Sequence, residues 1–199
     1  MELVAILAVV VLIVLIARPY LAHRAKASAR AQCVNNLKNV GLAFRIYSTD
    51  SSDAFATKRL LAKGVPLESI DTALVYLLHS NELTTPKILH CPSDKGREKA
   101  ADFKKFSAKN ISYFASLTTE ANFPETILMG DRNLQTNGGA LTPGLFPLLT
   151  NTPLGWTKDL HGHEGNVGYG DGSIQQFDSN RLRMVLLRQE VTTNWLAVP

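Results

Sequence analysis

Four side chains able to donate, accept or coordinate fall close together near the C-terminus: His161, His163, Glu164 and Asp171. Imidazoles and carboxylates at this density suit a metal site or an acid–base pair. Asp131 and Asp159 could join them in space. The surrounding sequence argues against such chemistry. It holds no His-Glu-x-x-His, nucleophile elbow or phosphate loop. A histidine at the mouth of a hairpin more commonly bonds backbone, and Asp171–Gly172 is first of all a turn pair. The expectation is a chain that is not an enzyme and has no metal ligands or cofactor; a metal-dependent hydrolase is the distant alternative. Two further residues carry chemistry. Cys33 and Cys91 are the two cysteines, an even count that permits one disulfide in an exported domain and equally suits two buried thiols. Neither lies in a CxxC or Cys/His spacing that would suggest zinc.

The elements that must position these groups begin with the stretch 1–17, MELVAILAVVVLIVLIA. From Leu3 to Ala17 it is apolar without interruption, headed by a single acid, Glu2, and closed by Arg18. As helix this run spans roughly 22 Å, and continuing through Pro19, Tyr20, Leu21 and Ala22 would bring it toward the ~30 Å of a bilayer core. A cleaved signal segment is the competing reading. It lacks a basic stretch before the run and a cleavage site after it, so a retained, single-pass inner-membrane helix over 1–22 is expected, with the rest of the chain outside the cytoplasm. Pro19 should bend that helix.

The helical pattern goes on. Cys33, Leu37, Val40, Phe44 and Tyr47 step by four, three, four and three and share one stripe, which marks 23–48 as an amphipathic stem. Leu42 and Ile46 lie on nearly the opposite side, and either another copy of the chain or a covering loop could bury them. A helix from Glu2 to about Tyr47 would be on the order of 70 Å long, too long for one small domain to bury. The first 49 residues hold six bases and one acid, and the remainder fifteen bases and sixteen acids. The net charge of +4 therefore belongs to the stem. A basic stem beside an apolar run suits lipid head groups. With no basic, aromatic-interleaved face after Asp50, no nucleic-acid partner is expected.

Residues 49–199 read as a globular α+β head. The polar stretch STDSSD (48–53) stops the stem. Residues 66–79 suggest a second amphipathic helix, with Ile70, Leu74, Leu77 and Leu78 on one side and Pro66 in its first turn. NISYFA (110–115) and TILMGD (126–131) suggest strands, and 137–152 a loop. Residues 165–178 form a β-hairpin about a two-residue turn at Asp171–Gly172. A helix over 181–189, capped by Ser179 or Asn180, follows, and 191–199 form a tail.

In this order the pieces resemble the type IV pilin-like proteins, and within them the pseudopilins of type II secretion. CVNNLKNVGLAFRIYSTD is similar to the stem that follows the prepilin methylation motif in one large bacterial group. NELTTPKILHCPSD, ISYF and GDRNL are similar to segments found there, as is the C-terminal His-x9-Asp-Gly signature, here His161 and Asp171–Gly172 with Gly165, Asn166 and Val167 between them. The resemblance implies a pilin-like fold, a long N-terminal helix packed on a small antiparallel sheet, and a structural subunit of a secretion or pilus-like filament. It implies as partners copies of itself or other pilin-like subunits through that helix, inner-membrane lipids and the secretion machinery. It gives Glu2 a role in subunit assembly, opposite a neighbour's N-terminal amine. Some pseudopilins bind calcium in a C-terminal loop, but the acids here lack the spacing that would assign one. The family's acid follows a short leader ending in Gly and then a methylated Phe; here Met1 alone precedes Glu2. A start upstream of Met1 is the favoured explanation, and loss of the processing site is the other. A third reading is an anchored extracytoplasmic binding domain that never polymerises.

Overall fold

The computed structural model describes residues 2–51, 55–119, 124–189 and 193–199, apart from the side chains at 4, 5 and 8. Helix α1 runs from Glu2 to Asp50 without interruption, Pro19 included, a rod of roughly 70 Å. The turn at Ser51 ends it; residues 52 and 53 of the expected polar stop lie outside the described residues, as does Met1. Short helices α2 (Ala56–Ala62), α3 (Thr72–Leu78) and α4 (Ser80–Leu83) follow. The single helix expected over 66–79 is thus broken. A 3-10 turn at Leu67–Ser69 gives way to extended backbone at Ile70. Asp71 then caps α3 by accepting the Leu74 N–H at 2.7 Å, a role for which aspartate is strongly preferred and which requires a non-helical backbone at that position.

Six strands form an antiparallel sheet. They are β1 (Tyr113–Ser116), β2 (Ile127–Asp131), β5 (Gly144–Leu149), β7 (Glu164–Tyr169), β8 (Ile174–Asp178) and β9 (Thr193–Val198), in spatial order β5-β9-β1-β2-β7-β8. A smaller sheet of β4 (Gly139–Ala140), β3 (Leu134–Thr136) and β6 (Leu154–Trp156) flanks it. Helix α5 (Ser179–Leu186) follows β8. The layout is α+β, with one long helix and an antiparallel sheet.

The inner strands β1, β2 and β7 are buried on both faces, with alternate side chains pointing to opposite sides of the sheet. On β1, Tyr113 and Ala115 join the stem-side core while Phe114 joins the other. On β9, Ala197 faces the stem, and Leu196 and Val198 face away. The stem-side core gathers Cys33, Leu37, Val40 and Phe44 of α1 with Phe55, Tyr76, Leu89 and Met129. The far core holds Trp156, Val167 and Phe177 with Leu182 and Leu186 of α5. A register shift between Ile127 and Met129 lets Leu128 and Met129 both face the stem.

Three expectations are corrected in the C-terminal half. The loop over 137–152 contains β4 and β5. Its Gly and Pro content masked a strand that tolerates Pro147 because β5 lies at the sheet's edge. The tail over 191–199 contains β9, which pairs with β5 on one side and β1 on the other. The closing helix starts at Ser179, and its cap is Asp178, whose carboxylate accepts the Arg181 N–H at 2.7 Å.

Candidate functional site

Two surfaces of α1 stand out: a bare half and a clamped half. Among the described side chains of residues 2–28, all are exposed except Ala17, which is half-buried. Leu3 is 73% exposed and Leu12 58%. An apolar run on every side of a helix has no face to turn toward water, and contiguous apolar patches of this size mark contact surfaces. Glu2 sits in the first turn, where a carboxylate is favoured by the helix dipole.

Among the described residues no helix is long and apolar enough to cross a membrane. This overturns the expected single-pass inner-membrane location. The uncharged run from Leu3 to Ala17 rises only about 22 Å against a core of ~30 Å, and Arg18 and Pro19 follow at once.

The lower half of α1 is held at three levels. At Cys33 a disulfide ties it to Cys91, with Cα atoms 5.0 Å apart. Asn36 reaches the same loop, donating its amide to the His90 carbonyl at 2.9 Å. Of the two states that the sequence left open for the cysteines, the structure adopts the disulfide. The other two levels belong to the His-x9-Asp-Gly signature. At its start, Arg30 donates to the Glu164 carboxylate at 2.7 Å and to the His161 carbonyl, while Gln176 donates to the same carboxylate. At its end, Arg45 donates to the Asp171 carbonyl at 2.7 Å. Arg30 and Arg45 stand fifteen residues apart on one rod, about 22 Å. The signature therefore grips the stem at two separated points, and the β7–β8 hairpin lies between them.

The hairpin's turn differs from the expected two-residue form. Gly168 pairs with Ile174, the Tyr169 N–H reaches the Ser173 carbonyl and the Gly172 N–H reaches the Tyr169 carbonyl. That is a three-residue loop in which Gly172, at φ +84°, supplies the left-handed position. A side chain there would also run into Arg45. Gly165 is demanded by packing: a Cβ would lie within 2.6 Å of the Trp156 ring. Asn166 holds Asp131, giving both its backbone N–H and its side-chain amide to Oδ2, at 2.7 and 2.8 Å.

His161 and Asp131 do come together, with Nε2 3.4 Å from Oδ2. The same imidazole nitrogen is 3.6 Å from Cys91 Sγ. Burial, helped by the positive charge of Arg30, lowers His161 to about 4, so the ring is neutral at pH 7. Burial raises Asp131 to about 7 against the two Asn166 hydrogen bonds. The other members of the sequence cluster go elsewhere. His163 turns to the Trp156 carbonyl at 3.3 Å, and Asp159 accepts from Thr157. Glu164 pairs with Arg30, and Asp171 sits in the turn at the far end of the hairpin.

A cleft of about 1030 Å³ opens beside His161, between stem residues 23–30 and the loops at 92–96 and 158–162. Its wall includes the Arg132–Asp94 pair, joined at 2.6 and 2.7 Å. Those hydrogen bonds and the guanidinium's charge outweigh burial and hold the Asp94 carboxyl below its usual range.

Arg30 and Arg45 were not legible as clamp residues, since bases near an apolar run read as partners of lipid. One cue existed. Arg30 precedes Cys33 by three and so continues the period of the buried stripe. Comparison with known proteins adds no assignment: no family model, curated protein or solved structure matches this chain.

Proposed function

We propose that the chain is a pilin-like filament subunit with a structural role, whose bare upper helix packs against the same helix of neighbouring subunits while the head faces outward. The observation that carries this reading is the contrast within α1: an exposed apolar rod joined without a break to a helix locked in a folded head. Leaving that many large apolar side chains in water costs on the order of 10 kcal/mol or more, so the rod needs a cover. Sister rods offer one of equal length and matching chemistry. Leu42 and Ile46, 56% and 43% exposed, are not covered by any loop among the described residues; in a bundle of stems they become a second contact.

By the resemblance to pseudopilins, the partners are copies of itself, related pilin-like subunits and the secretion machinery. Glu2 is the assembly residue, since a carboxylate packed among apolar side chains must find a positive partner. The anchored, non-polymerising reading needs a helix that crosses a bilayer, which the described residues do not supply. Electron microscopy and sedimentation of the full chain test the proposal. Filaments or bundles are expected, and a Glu2→Ala variant should keep a native head and assemble less. Assembly unchanged by Glu2→Ala would remove its role, and a monomer at all concentrations would sink the filament.

A further inference from the structure

Behind His161 in the cleft wall lies a set of potential metal ligands that the fold does not use beyond the disulfide itself. One ligand atom each from Cys33, Cys91 and His161 lie within 4.8 Å of one another. All three residues are buried. Sequence spacing gave no sign of this, because the two cysteines lie on α1 and on a distant loop and the histidine on a third segment.

We propose that reduction of Cys33–Cys91 turns this point into a binding site for a thiophilic divalent cation of the zinc type, with Cys33 Sγ, Cys91 Sγ and His161 Nε2 as ligands. The geometry needs little change. A tetrahedral zinc with ~2.3 Å bonds to sulfur sets its two sulfurs about 3.8 Å apart. Sulfurs released from a disulfide must separate by less than 2 Å to reach that spacing, which side-chain rotation supplies. Three protein ligands leave a fourth position, and His161 lines the cleft through which a water and the cation itself would reach it. A second feature points the same way. Asp131 is fully buried, and its Oδ1 has no hydrogen-bond partner among the described residues. Its other oxygen lies 3.4 Å from the ligating nitrogen. A cation beside it would balance a carboxylate that the head otherwise leaves partly unmet. Arg30, whose positive charge acts on Asp131, is already engaged by Glu164.

The chemistry balances with a dithiol reductant. It gives two electrons and two protons to the protein's disulfide and is itself oxidised to a disulfide. The two protons leave the protein's sulfurs to solvent as the cation binds. A disulfide oxidant that takes two electrons from the two thiolates, and is itself reduced to a dithiol with two protons from solvent, re-forms Cys33–Cys91 and releases the cation. The head would thus carry one cross-link between stem and loop in either state, covalent when oxidised and coordinate when reduced.

The test uses the full chain in mild detergent, reduced by a phosphine that adds no competing thiol and then titrated with cobalt(II) and zinc(II) alone. One equivalent of cobalt should bring thiolate charge-transfer absorption and the intense visible bands of a tetrahedral site. Zinc should displace it. The oxidised protein should show neither, and His161→Gln should weaken binding by more than the 10–100-fold typical of losing an outer-shell partner. Because reduction removes a cross-link from the head, circular dichroism melts of the reduced chain are run with and without zinc. Zinc should raise the midpoint, and this rise should vanish in His161→Gln. A reduced chain that takes up no cation overturns the proposal. So does one that binds it equally well without His161, or one that zinc does not stabilise.

Discussion

The two halves of α1 share a backbone and differ in what surrounds it. After residue 29 the helix carries the stripe Cys33–Leu37–Val40–Phe44, and the head covers that stripe with Phe55, Tyr76, Leu89 and the β1–β2 face. From Leu3 to Ala17 the helix is apolar on all sides, and of its described side chains only Ala17 is even half-buried. A stripe can be satisfied from within the chain, whereas a fully apolar rod must be satisfied from outside. The clamp at Arg30, Cys33 and Arg45 makes the distinction consequential. The lower half is fixed to the head at these three points, and the bare half continues from it as one unbroken helix.

Breaking the clamp should cost most. Replacing Cys33 and Cys91 by Ser removes the cross-link that closes a loop of 58 residues, which in the chain-entropy account lowers stability by about 4 kcal/mol. Urea unfolding of the head should report it. Next is His79, which packs on Phe44 of the lower half with ring centroids 3.9 Å apart. Burial lowers it from 6.5 to about 4. The unfolded chain therefore takes up the proton first. Stability is full above the ordinary histidine value and falls as pH drops toward 4, by about 3 kcal/mol from this group. His79→Phe should flatten that slope in denaturation curves collected from pH 7 to pH 4.

Smaller effects sharpen the comparison. Gly165→Ala should cost about 1–3 kcal/mol as the Trp156 ring is pushed aside, read as a lower thermal midpoint with altered tryptophan fluorescence. Arg45→Ala should cost about 1 kcal/mol or less, since its bond is exposed. Hydrogen exchange should quicken in the 169–173 turn and not in α5. Charged substitutions in the bare half, such as Leu12→Asp with Ile16→Asp, should leave the head's unfolding curve where it was.

What the sequence showed and what it hid follow from the range of the forces. The stripe Cys33–Leu37–Val40–Phe44 and the alternation in 165–178 are local patterns, and both the stem and the hairpin stand where those patterns put them. β9 was hidden because it is stabilised by partners far away in sequence, although Trp195–Val198 carried the apolar character of a strand. β5 was hidden behind glycine and proline that an edge strand accepts. The site was half legible. The signature residues were visible, but their work, gripping two arginines of the stem, needed the fold to bring 161 and 171 to opposite ends of one hairpin. The apolar run was read as a membrane span from its composition, whereas no helix among the described residues is long and apolar enough to cross a membrane.

The most direct measurement is cysteine cross-linking of the full chain carrying Ile13→Cys in the bare half, with Lys63→Cys on the head as the control and Cys33–Cys91 kept oxidised. The account predicts a covalent dimer from the first, the largest product that one free thiol per chain allows, and monomer from the second. Monomer alone from Ile13→Cys, with α1 still helical, would contradict it.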